Sequence, residues 1–432
     1  MSGPVSRRAG ALGLGAYLVL RLWLGTLPGA AADTDDYKRW ALGAARHGLA
    51  AVYDNSAADY PPVFVFVLWG LGKLYLLFDP AAVPEKLPGT VGLTLLIKSP
   101  HLAADLALAA LLARLVSGGL WGRARSGPGW GRLAGLLYLW NPAVLWVSAY
   151  WGQPDGLHSC LALAALGALG ARPALSGGLL ALAGLTKPVA VPLVPVLAGV
   201  AAARRGLRGF LAAGLGGLVA ALLVFAPFLV TGRGLAVVRR VLGDSALMPL
   251  TSSNAHNFWW FYGGWRDARV SLVGPVTAER LGWLLFGGMT GLLLARNWSR
   301  LRRDDADAAR ARTQLLGAGA AAAFFFFSTH LHENHLFLAL VLFLALAGRS
   351  RALGGLCWAA SLAVLVNAVL HDPLVTRLPG ALGWSSPVID PFLGRPYTWL
   401  QLVGSYANAG LVGAITAGVG ALAWSGRVND PP

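Results

Sequence analysis

The segment DTDDYKRW, from Asp33 to Trp40, follows directly after the first long apolar run of the chain. It contains three carboxylates within four positions, although the whole chain of 432 residues has only 19 aspartates and glutamates. Lys38 and Arg39 come next, and tryptophan is common where a helix meets a membrane surface. Acidic side chains at the mouth of a membrane bundle can accept a proton from a hydroxyl group or hold a metal ion. A solvated loop beside the membrane is the alternative interpretation.

The composition predicts an all-α, polytopic membrane protein. The chain is 56% hydrophobic and only 12% charged, whereas soluble domains carry roughly 25% charged residues. Its 56 glycines suit close contacts between helices in lipid. The net charge of +16 comes largely from arginines in short loops between apolar runs. That distribution is typical of cytoplasmic loops of membrane proteins, and it does not indicate nucleic-acid binding.

The cysteines and the N-terminus give two further expectations. Cys160 and Cys357 both lie inside apolar runs, so we expect neither a structural disulfide nor a cysteine-based metal site. Arg7 and Arg8 precede an apolar run that ends in small residues, which also resembles a secretory signal. Because the run is long enough to span a membrane at about 20 residues, we favour an uncleaved first helix.

Arginine placement predicts the topology. The N-terminal arginines place the start of the first span in the cytoplasm, so Asp33–Trp40 would face outward. We interpret the apolar run Val63–Phe78 as interfacial or re-entrant, because a crossing there would move every later arginine-rich loop outside. The prediction is a single membrane domain over residues 1–432, with about 12 transmembrane helices and cytoplasmic termini. Residues 31–90 form its first external loop, with interfacial helices.

On this topology the polar clusters gather on one side of the membrane. They are Asp33–Trp40, Asp59–Pro62, Trp151–Asp155, Lys187, Asn254–Trp265 and Ser328–His335. An ionisable residue inside a span, such as Asp105, usually faces the bundle interior or a cavity. This asymmetry predicts one external reaction or binding site at the bilayer boundary.

Each cluster also has a structural interpretation. Asp155 could cap the helix that follows it, and Lys187 could extend its ammonium to the interface. The pair Trp259–Trp260 could belong to an aromatic belt. His332 and His335 could share a helix face, but no third zinc ligand lies nearby in the sequence. No phosphate-binding loop, dinucleotide fingerprint or zincin motif is present.

The acidic segment and a second motif carry a family resemblance. Asp33, Asp35 and Trp40 form the pattern D-x-D-x-x-x-R-W, and Asp59-Tyr60-Pro61-Pro62 follows about twenty residues later. In this arrangement the chain resembles the GT-C glycosyltransferases. The likeness is strongest to the glucosyltransferases that extend the dolichol-linked oligosaccharide of asparagine-linked glycosylation, and to their bacterial relatives.

Further matches occur in the same order along the chain. Asp105 lies in an Ala-Asp-Leu triplet like one that recurs in the family. Lys187 stands between two short helices, Gln153 keeps the glutamine of a family motif, and His332-Glu333 matches its His-Glu pair.

The resemblance implies an inverting transfer of a hexose, glucose or mannose, from a polyprenyl-phosphate donor. Asp33 would be the general base, and Asp35 would orient the acceptor or share that role. Arg39, Lys187, His332 and Glu333 would contact the donor or its phosphate. The residues expected to contact the acceptor or line the cavity are Trp40, Asp59, Tyr60, Asp105, Trp151, Gln153, Asp155 and His330.

The same resemblance predicts the surroundings of the reaction. The acceptor would be a lipid-linked or cell-envelope glycan, and the site would lie on the external side of the cell membrane. We expect no cofactor and no metal requirement, because cationic side chains can stabilise the leaving polyprenyl phosphate; Mg²⁺ or Mn²⁺ held by the carboxylates is the alternative. Donor, glycan acceptor and membrane lipid are the expected partners, and nucleic acid is not.

Departures from the family pattern leave the sugar and acceptor open. Pro188 stands where the family has Gln, Asn334 stands where Lys is usual, and the motif around Gln153 differs. A secondary transporter is the first alternative function, although no internal repeat is visible. A flippase or scaffold for a lipid-linked saccharide is the second.

Overall fold

The structure, a computed structural model, describes residues 4–55, 58–247, 249–372, 383–389 and 396–426. It is mostly helical, with 74% helix and little strand. In chain order the α-helices are α1 Arg7–Thr26, α2 Ala31–His47, α3 Val52–Asn55, α4 Pro62–Tyr75, α5 Val91–Ser117, α6 Pro128–Leu139, α7 Pro142–Val144, α8 Asp155–Ala168, α9 Pro173–Thr186, α10 Val194–Val230, α11 Gly234–Leu247, α12 Ala278–Arg303, α13 Ala306–Phe327, α14 Phe337–Leu346, α15 Arg351–Leu370 and α16 Trp399–Ser425. A π-helical segment, Leu145–Trp151, joins α7 to the loop before α8, and a 3₁₀ segment, Pro188–Leu193, precedes α10.

Five helices in the described part of the chain are long and apolar enough to cross a membrane. They are Arg7–Thr26, Val91–Ser117, the continuous stretch Pro188–Val230, Arg351–Leu370 and Trp399–Ser425. The bent pair Pro128–Leu139 and Pro142–Trp151 raises the number to six. These helices support an all-α membrane protein, and the predicted count of about 12 crossings stays a prediction.

Several large apolar side chains on these helices are exposed. Val19 on α1 is 72% exposed, and Leu223 and Val230 on α10 are 70% and 87% exposed. Large contiguous apolar surfaces are unfavourable in water but match the hydrocarbon of a bilayer. The faces are therefore suited to lipid contact.

The chain divides into two compact units, Met1–Asp244 and Ser245–Pro432. The first contains α1 to α10 and most of α11. The second contains α12 to α16 and two small antiparallel hairpins, Ser271–Val273 with Val276–Thr277 and Ser385–Ile389 with Pro396–Thr398. The expectation of one domain over the whole chain stays a prediction.

The acidic segment lies on a helix, which corrects the interpretation of Asp33–Trp40 as a loop. Helix α2 buries one face at intervals of three or four residues, through Thr34, Tyr37 and Ala41. That spacing matches the period of an α-helix and brings these side chains onto one stripe. Asp33 and Asp35, two positions apart, consequently point in different directions.

Helix α4 packs directly on α2, with their backbones almost in contact. A Cβ atom at Gly72 would lie 2.0 Å from the carbonyl oxygen of Ala41, so only glycine permits this approach. At 14 residues, α4 is about 21 Å long, which is shorter than the roughly 30 Å hydrocarbon core of a bilayer. Its length and packing agree with the predicted interfacial or re-entrant run at Val63–Phe78.

Small residues also hold α9 against α10. A Cβ atom at Gly177 would lie 1.8 Å from the Ala213 carbonyl oxygen, and one at Gly216 would lie 1.9 Å from that of Ala174. Gly206, with φ +64°, interrupts the helical backbone of α10 between Arg205 and Arg208.

Candidate active site

Asp33 is held through one of its two carboxylate oxygens. Its Oδ2 accepts hydrogen bonds from Trp151 Nε1 at 2.8 Å and from Gln153 Nε2 at 2.6 Å. Among the described residues, no group hydrogen-bonds to Oδ1, and the residue is partly exposed. The carboxylate is therefore fixed in orientation while one oxygen stays open to a ligand.

Gln153 connects Asp33 to two tyrosines and a lysine. Its Oε1 accepts hydrogen bonds from Tyr60 Oη at 2.9 Å, Tyr37 Oη at 3.2 Å and Lys187 Nζ at 3.3 Å. Because ammonium groups only donate, the side-chain oxygen of Gln153 must face Lys187 and its NH₂ group must face Asp33. The orientation of the amide follows from its partners.

Lys187 is buried and paired with a carboxylate. It is 4% exposed, and its Nζ lies 2.9 Å from Asp155 Oδ2. The other oxygen of Asp155 lies 3.3 Å from His158 Nε2, and both residues are fully buried. The interface interpretation of Lys187 is therefore wrong. The helix-cap interpretation of Asp155 is also wrong, because Asp155 is the first residue of α8 and its side chain points to Lys187 and His158.

The environment of Asp33 changes its acidity. Burial raises the pKa of the Asp33 carboxyl above its ordinary value, while the Trp151 hydrogen bond, the Lys187 charge and the Gln153 hydrogen bond act in the opposite direction. Burial also raises the pKa of Tyr37 and Tyr60 well above the ordinary value, so both phenols stay protonated and can donate. A carboxylate with a raised pKa is better suited than an ordinary one to take up a proton near neutral pH.

The loop that carries Trp151 and Gln153 follows the π-helical segment Leu145–Trp151. Gly152 adopts a left-handed conformation, φ +88°, that ends the segment and turns the chain towards Gln153. Segments of π-helix are rare and are often found at functional sites.

Aromatic rings line one side of this hydrogen-bond network. The Trp40 ring is 4% exposed and lies 5.5 Å from the Tyr37 ring and 5.8 Å from the Tyr60 ring, centroid to centroid. Lys187 Nζ lies 5.8 Å from the centroid of the Tyr60 ring. Asp59, directly before Tyr60, is partly buried.

Asp35 and Arg39 lie outside the network. Asp35 pairs with Lys38 at 3.0 Å, and Arg39 pairs with Asp36 at 2.9 Å on the exposed side of α2. The hydrogen-bond partners of Asp33 are Trp151 and Gln153, so the structure separates the two predicted catalytic carboxylates.

Asp105 belongs to a separate buried cluster. It accepts hydrogen bonds of 2.6 Å from both Tyr138 Oη and Ser148 Oγ, and Arg21 Nε lies 3.7 Å from its Oδ2. Because Asp105 is fully buried and both its oxygens are occupied, the geometry argues against acceptor contact and favours a structural role.

In the second unit, the histidine-rich loop follows α13. His330 has a positive φ of +60°, and its backbone N–H donates to the Leu250 carbonyl at 3.0 Å. His332 Nδ1 lies 3.9 Å from Glu333 Oε2, and His335 Nδ1 accepts from the His332 backbone at 3.2 Å. His332 and His335 do not share a helix face, because the chain turns here without forming a helix.

The tryptophan pair in this unit is buried. Trp259 and Trp260 are 1% and 2% exposed, and Trp259 Nε1 donates to the Phe327 carbonyl at 2.6 Å. The aromatic-belt interpretation of this pair is wrong, since belt residues face the membrane surface.

A second polar cluster surrounds His256, which the sequence analysis did not single out. His256 Nε2 lies 2.9 Å from His371 Nε2, and Asn408 Nδ2 lies 3.0 Å from His256 Nδ1. Asn408 Nδ2 also donates to the Ala363 carbonyl at 2.9 Å. Since this amide group donates on both sides, His256 accepts at Nδ1 and carries its proton on Nε2. Burial and the neighbouring His371 hold the pKa of His256 well below its ordinary value, so it is neutral.

Sequence reasoning also missed Tyr37 and His158 in the first unit. His158 follows Asp155 by three positions on a helix, a spacing that brings two side chains together. Tyr37 lies inside the acidic segment and one helical turn after Thr34 on the buried stripe. The helical spacing in the sequence could therefore have placed both residues beside their partners.

Among the residues that the structure describes, no group of three or more histidine, cysteine or acidic side chains could hold a metal ion. Metal independence stays a prediction.

No protein-family model matches the chain, and no curated protein shows a significant match to it. The resemblance to the GT-C glycosyltransferases therefore rests on the order of the motifs alone.

Proposed function

We propose that the protein is a membrane glycosyltransferase that moves a hexose from a polyprenyl-phosphate donor to a hydroxyl group of a glycan or glycolipid acceptor. Asp33 Oδ1 removes the proton of the acceptor hydroxyl. The acceptor oxygen then bonds to the anomeric carbon, the bond from that carbon to the phosphate oxygen breaks with its electron pair, and polyprenyl phosphate leaves. Attack opposite the leaving group inverts the anomeric centre.

The observation that carries the proposal is the asymmetric binding of Asp33. Trp151 and Gln153 occupy Oδ2 at 2.8 and 2.6 Å, and Oδ1 has no hydrogen-bond partner among the described residues. A general base needs an oxygen that is open to the reacting proton and an orientation fixed before the reaction. The raised pKa of Asp33 favours proton uptake.

The residues that form the hydrogen-bond network support the same proposal. Four sequence motifs that the family resemblance selected contribute to it: Asp33, Tyr60, Gln153 and Lys187. A purely structural ion pair would not require a partly exposed carboxylate at the end of such a chain of hydrogen bonds. The family identity itself is part of the proposal.

For Lys187 we propose a role beside the leaving phosphate. Its ammonium has three N–H donors, of which one points to Asp155 and one to Gln153. The remaining donor is available for a phosphate oxygen. The donor-side roles of His332 and Glu333 stay predictions from the resemblance.

The proposal includes the finer topology. About 12 crossings, cytoplasmic termini and an external active site in the cell membrane follow from the arginine distribution. Apolar exposed faces on α1 and α10 fit this arrangement.

The direct test uses purified protein in detergent or liposomes with radiolabelled polyprenyl-phosphate glucose and mannose, and lipid-linked saccharide acceptors. We expect label to pass to the acceptor with inverted anomeric configuration. Movement of intact lipid-linked saccharide between leaflets without a new glycosidic bond would favour the flippase instead. Uptake of free solute would favour the transporter.

A further inference from the structure

Two cationic side chains bind backbone carbonyls at the end of the π-helical segment Leu145–Trp151. Arg21 of α1 donates from Nη2 to the Ser148 carbonyl at 3.1 Å and from Nη1 to the Ala149 carbonyl at 3.2 Å. Lys98 of α5 donates from Nζ to the Tyr150 carbonyl at 2.6 Å. Three successive carbonyls of the segment are therefore bound by side chains from two other helices.

The next carbonyl in the chain is bound from a third helix. Thr34 Oγ1 of α2 lies 3.4 Å from the Trp151 carbonyl oxygen and 3.3 Å from that of Pro28. Lys98 Nζ also donates to the Leu27 carbonyl at 2.8 Å, in the turn that leads from α1 into α2. The same groups thus connect the end of the π-helical segment to the start of the helix that carries Asp33.

A basic side chain inside an apolar helix is costly unless its N–H groups find acceptors. Arg21 has the Asp105 carboxylate at 3.7 Å, and both Arg21 and Lys98 also use backbone carbonyls. Arg21 and Lys98 are each 2% exposed, and both lie in helices long and apolar enough to span a membrane. The last carbonyls of a helix have no partner within it and carry a partial negative charge. Arg21 and Lys98 satisfy those carbonyls where water is scarce.

Glycines let the backbones approach at this junction. A Cβ atom at Gly29, whose φ is +62°, would lie 2.3 Å from the Tyr150 carbonyl oxygen. A Cβ atom at Gly152 would lie 3.0 Å from Cε of Lys98. The packing therefore leaves little room for the segment to shift.

We propose that Arg21, Lys98 and Thr34 are positioning residues that hold the end of the π-helical segment, so that Trp151 and Gln153 keep Asp33 in its reactive orientation. Trp151 is the last residue of the segment, and Gln153 follows two positions later. A rotation of the segment would move both donors away from Asp33 Oδ2. The inference rests on the proposed function of Asp33 as the base.

The test compares Lys98→Met, which removes the charge but keeps an unbranched side chain, with the wild type. Misplacement of a reacting group by about 1 Å costs up to roughly 100-fold in rate, so we expect kcat to fall at least tenfold while KM for the donor changes little. Loosened hydrogen bonds from Trp151 and Gln153 would raise the pKa of Asp33, so the acid limb of the kcat/KM profile should move to higher pH. A change that only lowered stability would not move this limb.

A second readout does not depend on activity. The backbone amide of Gln153 donates to the Val147 carbonyl at 3.0 Å, and hydrogen exchange of peptides covering residues 150–156 reports on this bond. We expect faster exchange there in Lys98→Met. The matched control is Arg132→Met, because Arg132 Nε also donates to a backbone carbonyl, that of Val5 at 2.8 Å, away from the segment.

Thr34 provides a milder pair of variants in case Lys98→Met does not fold. Thr34→Val removes the hydroxyl group and keeps the shape of the side chain, whereas Thr34→Ser keeps the hydroxyl group. We expect Thr34→Val to shift the acid limb and the exchange in the same direction as Lys98→Met, and Thr34→Ser to match the wild type.

The proposal is overturned if Lys98→Met and Thr34→Val both keep wild-type exchange over residues 150–156 and a wild-type acid limb. It is also overturned if Arg132→Met produces the same changes. If the wild type transfers no sugar to any acceptor, the proposed function fails, and the exchange measurement still decides whether these residues hold the segment.

Discussion

Gln153 and Asp33 lie 120 positions apart in the chain and are joined by a hydrogen bond of 2.6 Å. The amide donates to the carboxylate on one side and accepts from two phenols and an ammonium on the other. The orientation of Gln153, and with it the hydrogen bond to Asp33 Oδ2, therefore depends on Tyr37, Tyr60 and Lys187.

The first prediction concerns the base. Asp33→Asn should lower turnover at least about 100-fold, because an amide of the same shape cannot accept the proton and general-base catalysis contributes roughly 10²–10⁴-fold. Donor binding and expression should stay near wild type. Asp36→Asn is the matched control, since Asp36 lies on the exposed side of α2 and pairs with Arg39. Wild-type turnover in Asp33→Asn would exclude Asp33 as the base.

The second prediction concerns pH. The reactive form of Asp33 is the carboxylate, so kcat/KM should rise as pH increases through its pKa, which burial raises. Trp151→Phe removes an N–H donor that favours the charged form, so the pKa should rise further and the acid limb should move up by roughly one pH unit. Trp146→Phe is the control, because the Trp146 ring packs against the Tyr150 ring, with centroids 4.7 Å apart, and does not hydrogen-bond to Asp33. An acid limb that is the same in Trp151→Phe and wild type would contradict the assignment.

The third prediction concerns the buried ion pair. Lys187→Met leaves the Asp155 carboxylate buried without its cation, which should cost about 3–5 kcal/mol of unfolding free energy. Lys187→Met combined with Asp155→Asn should cost less than the sum of the two single changes, since it removes both charges. Thermal unfolding in detergent measures the difference.

The exposed pair Asp36–Arg39 is the control for this cycle. Both side chains are about half exposed, at 46% and 50%, and exposed pairs contribute roughly 0–1 kcal/mol. Strictly additive effects at Lys187 and Asp155 would show that the pair is not coupled.

The fourth prediction concerns topology. Thr34 and Thr329 are suitable labelling positions by sequence, but both are buried, at 2% and 6% exposure. Arg39 and Asp267 are exposed and replace them. In a background without the native cysteines, Arg39→Cys and Asp267→Cys should react with an impermeant thiol reagent in intact cells. Arg302→Cys, in the basic last turn of α12, should react only after lysis; the reverse pattern would refute the topology.

The fifth prediction concerns metal. Adding a chelator to the wild type should leave sugar transfer unchanged, because Lys187 can supply positive charge to the leaving phosphate. Inhibition that Mg²⁺ or Mn²⁺ reverses would show that the carboxylates hold a metal ion.

Much of the helical organisation could be predicted from local pattern. The sequence predicts short helices on both sides of Lys187, and α9, Pro173–Thr186, is the first of them. Its boundaries follow from Pro173 at the start and Pro188 just past the end, since proline favours the first turn of a helix and prevents its continuation. The solvated loop, the alternative interpretation of the acidic segment, is wrong because its charged residues alternate with a buried stripe on α2.

The sequence by itself determined the class of protein. The apolar composition of each span is a local property, because each span must satisfy its own backbone in lipid. The sequence also identified most of the polar motifs. Charged residues are costly in apolar segments, so they are rare there and stand out in the sequence.

Only the tertiary structure decided which of these polar residues act together. Asp33 and Asp35 look equivalent in the sequence, but helix α2 points one towards Gln153 and the other towards Lys38. Lys187 and Asp155 each had a plausible structural role alone, and their 2.9 Å contact removes both interpretations. The reason is physical: these contacts join residues far apart in the chain, so their geometry depends on how the helices pack, which no local periodicity encodes.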